Sequence, residues 1–169
     1  MPEVISFPDI SAYHRDCQAG LRILYSEANP EYQARFVGYT RAEVAGELRL
    51  RLGETDMRSA LVVMAHMEAK FRLDYKFRAQ KKLPDDISIN FRKIWKKKGE
   101  KARLIDDIFS VWKNNVEPEH KAAIGELKKF FNLRHWIAHG RYWQFTTSYD
   151  YNDVYAIVDY LMLELAWAV

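Results

Sequence analysis

Glu117-Pro118-Glu119-His120-Lys121-Ala122-Ala123-Ile124-Gly125-Glu126-Leu127-Lys128-Lys129-Phe130-Phe131-Asn132-Leu133-Arg134-His135-Trp136-Ile137-Ala138-His139-Gly140 reads as one helix, and it decides the fold class. Acidic residues at its start suit the positive end of the helix dipole, Pro118 suits the first turn, and Gly140 is the natural stop. On a wheel at about 100° per residue, Leu127, Phe130, Phe131, Ile137 and Ala138 share one arc, and Arg134 falls near its middle. Apolar spacings of three and four recur along the rest of the chain, and strand-like alternation is almost absent, so the expectation is an all-α bundle.

Upstream, a first helix is predicted to start near Asp9 or Ser11, to carry Tyr13, Cys17, Leu21 and Leu24 on one face, and to end near Asn29-Pro30. Thr40-Arg41-Ala42-Glu43 has the form of a capping box and should open a second helix, which Gly53 is expected to interrupt. Thr55 can then cap a long helix from about Asp56 to Lys82, with Met57, Leu61, Met64, Phe71 and Tyr75 on one stripe. Glu68 completes the spacing between Met64 and Phe71, which turns a carboxylate toward the core. Ile87 to Lys98 reads as a short basic helix ending at Gly99, about Lys101 to Asn115 as another, and Tyr151 to Ala168 as the last. No repeat, low-complexity tract or long linker divides residues 1–169, which read as a single domain with additional N-terminal helices.

A chain of 169 residues with a net charge of +3 is long enough to bury a core without disulfides or metals. The single cysteine, Cys17, excludes an internal disulfide framework and suits a reducing cytoplasm. No charged n-region followed by an apolar run opens the sequence, and the longest apolar stretch, Val154 to Val169, carries Asp159 and Glu164 and is short for a bilayer. The expectation is a cytoplasmic protein with no membrane partner.

Arg134 on an apolar arc needs a charge partner, since burying an unpaired guanidinium is very costly. Glu68 is the best candidate, and the pair would orient the guanidinium while leaving some of its five donors for a ligand. His135 and His139 are four apart at the edge of the same arc, and fraying at Gly140 can bring His139 toward Arg134. A histidine moves a proton near neutral pH, and an arginine clamps a phosphate and stabilises its developing charge. Together they meet the minimum for metal-independent RNA cleavage, in which the ribose 2′-OH attacks the adjacent phosphate. The bland alternatives are a structural Arg134–Glu68 ion pair and a His139 that answers the helix dipole. A zinc site on His135 and His139, completed by His66, His120 or an acidic residue elsewhere, is the weaker chemical reading, and no metal or other cofactor is assigned.

Arg134-His135-Trp136-Ile137-Ala138-His139 resembles the signature of the HEPN superfamily: an arginine, a spacer of four to six residues often beginning with a polar one, then histidine. The trailing Ile137-Ala138-His139-Gly140 is similar to the usual end of the family helix, and Glu68 within His66-Met67-Glu68-Ala69-Lys70 adds to the resemblance. The resemblance implies a HEPN-like helical bundle that forms a homodimer and joins two motifs in one composite ribonuclease site. Arg134 and His139 would then be catalytic, with His135 and Glu68 supporting them. Many relatives act as toxins or in phage defence, so an antitoxin or a defence-complex partner follows as an expectation. Other members are inactive and serve as RNA- or protein-binding modules, which is the alternative reading. In HEPN toxins controlled by a partner nucleotidyltransferase a tyrosine stands two residues after the histidine, where this chain has Arg141.

A second feature is Arg92-Lys93-Ile94-Trp95-Lys96-Lys97-Lys98-Gly99-Glu100-Lys101-Ala102-Arg103, in which seven basic residues face one acidic residue. Such a run can recruit RNA through its phosphates, and Lys96, Lys97 and Lys98 are the candidate contacts, against the plainer reading of lysines answering a helix end. Arg141, in the aromatic loop Gly140-Arg141-Tyr142-Trp143-Gln144-Phe145, is the further candidate for RNA binding.

Overall fold

Four of the helices begin where a side chain, Ser6, Thr40, Asp85 or Asp150, takes up an N–H group that the first turn leaves open. The computed structural model describes residues 6–138 and 150–169, and among them the secondary structure is entirely helical, without a strand. Ser6 caps α1 (Phe7–Leu24) through a capping box with Asp9. The helix therefore starts a few residues before Asp9, because Pro8 fits its first turn. It also stops at Leu24, short of Asn29-Pro30, and the single turn α2 (Tyr32–Arg35) follows.

Thr40 and Glu43 exchange hydrogen bonds at the start of α3 (Arg41–Lys81), as the capping-box spacing predicts. Gly53 does not interrupt this helix, and Thr55 does not cap a new one: its hydroxyl donates back to the Arg51 carbonyl at 3.0 Å. A glycine inside a helix costs only about 1 kcal/mol. Ion pairs four residues apart, Arg51–Glu47 and Arg58–Glu54, lie on either side of it. The result is a 41-residue helix, about 60 Å long at ~1.5 Å per residue.

The chain groups into two compact units, Met1–Val63 and Met64–Val169, with α3 contributing to both. In the first, Tyr25, Phe36 and Val44 form a buried cluster with Leu21, Leu24, Tyr32 and Leu48 against it. Buried His14 lies 3.0 Å from the Ser59 hydroxyl and 3.5 Å from the Asp56 carboxylate. Burial holds its imidazole below the ordinary value of 6.5 against the opposing pull of Asp56.

The second unit is built on Met64, Met67, Phe71 and Tyr75 of α3, all buried. Phe71 stands at its centre, with ring centroids of Phe109 at 4.7 Å, Trp167 at 4.9 Å and Trp112 at 6.2 Å. Asp85 caps α4 (Asp86–Lys98), and Gly99 ends it at φ +53°, the left-handed conformation that glycine adopts without strain. The helix expected over Lys101 to Asn115 is broken instead. A 3₁₀ turn (Gly99–Lys101), a π turn (Leu104–Ile108) and the short α5 (Phe109–Asn114) replace it. The Asp107 carboxylate accepts the Arg103 N–H at 2.7 Å, and Arg103 itself is extended, so no helix passes through it.

In α6 (Pro118–Ala138) the predicted arc is buried at Leu127, Phe130 and Phe131, and the helix packs mainly on α5 and on α7 (Tyr151–Glu164). Helix α7 has an Asp150–Asp153 capping box and stops before Ala168. Beyond it the chain turns so that the Trp167 indole donates to the Leu161 carbonyl at 3.1 Å and its ring joins Phe71 and Trp112. No helix among the described residues is long and apolar enough to cross a membrane.

Candidate functional site

Arg134 sits on the last turn of α6, just beyond the buried Phe130, Phe131 and Leu133. Its side chain is 45% exposed, which corrects the expectation of a buried guanidinium. The wheel angle is right, but the core under α6 ends before Arg134 does. The guanidinium lies 5.9 Å from the Phe131 ring and forms an ion pair with Glu68 Oε2 at 3.2 Å. Glu68, likewise, is at the edge of the core and not in it, since Met67 takes the buried place beside Met64 and Phe71.

Glu68 serves two cations. Its Oε1 accepts from Arg72 Nε at 2.8 Å, one turn further along α3, and Arg72 also donates to the Ala102 carbonyl at 3.2 Å. A carboxylate held between two guanidinium groups orients both and leaves donors on each for a third group. His135 is exposed beside Arg134.

These residues line an open groove of about 490 Å³. Arg72, Arg103 and Arg134 bring three guanidinium groups to it, Glu68 and Asp106 two carboxylates, and Phe131, Leu104 and Ile105 an apolar floor. Arg103 is placed there by the π turn and pairs with Asp106 at 3.2 Å. Sequence reasoning missed Arg72 and Arg103 as groove residues. The available signals were that Arg72 follows Glu68 by one helical turn and that Arg103 closes the basic run.

Lys96, Lys97 and Lys98 form the exposed last turn of α4, and none of them belongs to the described lining of the groove. Lys98 is tied to Asp107 at 2.7 and 2.9 Å. Burial works against the Asp107 charge, but bonds from Lys98 and the Arg103 N–H outweigh it and hold the carboxyl below the usual range.

His139 and Arg141 lie outside the described residues, as do Gly140, the aromatic loop after it and the side chains of Ile137 and Ala138. His120 lies in the first turn of α6, hydrogen-bonded to the Tyr160 hydroxyl at 2.9 Å, and is about 22 Å along the axis from His135. The two cannot share a metal ion within one chain.

No family model, curated protein or solved structure matches this chain. A planar fork of donors, fixed by a carboxylate and flanked by two more guanidinium groups, suits a phosphodiester. An exposed imidazole beside it suits proton transfer.

Proposed function

We propose that this chain is a metal-independent endoribonuclease of HEPN type, working as a homodimer. The observation that carries the reading is the Glu68–Arg134 ion pair at the mouth of a groove that also holds Arg72, Arg103 and His135. The resemblance of Arg134 to His139 to the HEPN signature supplies the second histidine. In the proposed reaction the 2′-oxygen forms a bond to phosphorus as its proton passes to a histidine, and the P–O5′ bond breaks as the 5′-oxygen takes up a proton. Arg134 stabilises the crowded phosphorane, Glu68 positions Arg134, and the products carry 2′,3′-cyclic phosphate and 5′-hydroxyl ends. A single chain offers few proton-transfer groups, and a two-fold axis near the motif would supply a second set. A cytoplasmic toxin or phage-defence role, with a partner that restrains it, goes with this reading.

The test is cleavage of single-stranded RNA by the full chain in excess EDTA. Cyclic phosphate ends are expected, and the same strand made of deoxynucleotides should survive, because it lacks the internal nucleophile. His139→Ala should lower the rate by about 10²- to 10⁴-fold without changing the melting temperature. Undiminished cutting by that variant sinks the assignment. RNA binding without cutting by the unaltered protein moves the chain to the alternative reading, an inactive RNA- or protein-binding module.

A further inference from the structure

On the other side of Arg72 lies a second hollow, lined by Arg72, Leu73, Tyr75, Lys76, Trp95 and Glu100. Arg72 is the wall that it shares with the Arg134 groove. We propose that this hollow is a nucleobase-binding subsite in which Trp95 stacks on a base of an RNA strand whose backbone runs along the neighbouring arginines. The proposal rests on the ribonuclease reading only in taking RNA as the ligand.

The hollow is mostly apolar, yet its rim is charged. Tyr75 is almost fully buried, and its hydroxyl donates to the Gly99 carbonyl at 2.9 Å, so its ring is a fixed floor. Trp95 is half-buried, with its ring centroid 5.5 Å from that of Tyr75, and Phe91 supports Tyr75 from a T-shaped contact at 5.1 Å. An indole braced in this way presents a rigid surface to a flat ring, and Leu73, 59% exposed, adds an apolar wall. At about 290 Å³ the hollow is at the small end of the ~300–1,000 Å³ typical of ligand pockets, which suits a single heterocycle.

The charges favour a nucleotide over a plain apolar guest. Lys76 is held by Glu100 at 2.8 Å on the rim, where the carboxylate can accept from an exocyclic amine. Arg72 is fixed by Glu68 and the Ala102 carbonyl between the two hollows, where it can meet the phosphate that joins a stacked base to the next residue of the strand. Aromatic stacking does not discriminate strongly among bases, so the subsite should grip single-stranded RNA of mixed sequence.

The test uses the full chain carrying His139→Ala, with fluorescence anisotropy of two labelled strands: a single-stranded RNA octamer and the abasic ribose-phosphate octamer. Adding Trp95→Ala should weaken the base-bearing strand by roughly 5- to 150-fold and leave the abasic strand within about two-fold. Trp95→Phe, which keeps a ring against Tyr75, should recover most of the affinity. Equal losses for both strands, no loss for either, or no RNA binding at all overturn the subsite. Displacement of the octamer by equimolar adenosine 5′-monophosphate overturns the assignment to a strand. Base-dependent binding by a chain that never cuts RNA fails the ribonuclease reading and upholds the subsite. Cutting whose substrate affinity ignores Trp95 does the reverse.

Discussion

The carboxylate on the core face of α3 is Asp74, and it is completely buried. Arg78, one turn later and also buried, donates to it at 2.9 and 3.1 Å and reaches Asp85 at 2.9 Å and the Ala166 carbonyl. The backbone N–H of Ala168 donates to Asp74 at 2.7 Å, so this pair ties the tail after α7 to α3. Removing one member of a buried pair leaves the other charge uncompensated. Asp74→Ala should lower the free energy of unfolding by about 3 kcal/mol, the low end for such pairs because Asp85 still serves Arg78. Urea denaturation measures it, and a loss below about 1 kcal/mol would mean that water has replaced the carboxylate. The sequence reading found the partly exposed pair that α3 makes with α6, Glu68 with Arg134, and missed the buried pair within α3, Asp74 with Arg78. Asp74 falls three residues after Phe71 and Arg78 four after Asp74, a spacing as legible as that of Glu68. What could not be read was the depth of each position, because a wheel gives an angle and not the place where the neighbouring helix ends.

Helix starts were readable where two side chains cap each other, as at Thr40 and Glu43, since that chemistry is local. Helix ends and interruptions were less so. Gly53 lies inside α3, and a Cβ added to it meets nothing within 4 Å. Gly53→Ala should therefore stabilise the protein by about 1 kcal/mol through helix propensity alone. A rise in the urea midpoint at unchanged slope is the expected result. A lower midpoint would mean that the helix needs glycine there, which is the reading from sequence that the structure overturns. The broken segment after α4 has the opposite lesson. Its residues have helical spacing, but the Asp107 carboxylate gathers Lys98 and the Arg103 N–H, and these contacts fix a π turn where a regular helix was expected. That turn is what delivers Arg103 and Asp106 to the groove.

For the whole molecule, acid should weaken the fold in two stages. Burial holds His14 and His66 below their ordinary value of 6.5, with Lys70 adding to the effect at His66. A depressed folded-state value means that the neutral form is favoured in the fold, so this stability is present above pH 6.5 and is lost as pH falls through the lowered values. Asp85 and Asp107, both held below the ordinary 3.8, add a separate loss under more acid conditions. Asp74 runs the other way: burial raises its carboxyl, so its contribution grows as pH falls toward 3.8. Unfolding free energies taken between about pH 7.5 and 5.5 should decline, and His14→Gln should flatten that slope. A pH-independent stability over this range, or an unchanged slope in the variant, would contradict the role given to His14. The all-α class, the starts of α3 and α6 and the pairing of Arg134 with Glu68 are written in local spacing, because capping, helical periodicity and charge pairing act over a few residues or one shared face. The half exposure of Arg134, the placing of Arg72 and Arg103 beside it and the burial of Asp74 came from the packing of the helices. Those outcomes depend on where separate helices stop and what packs against them, which no local spacing encodes.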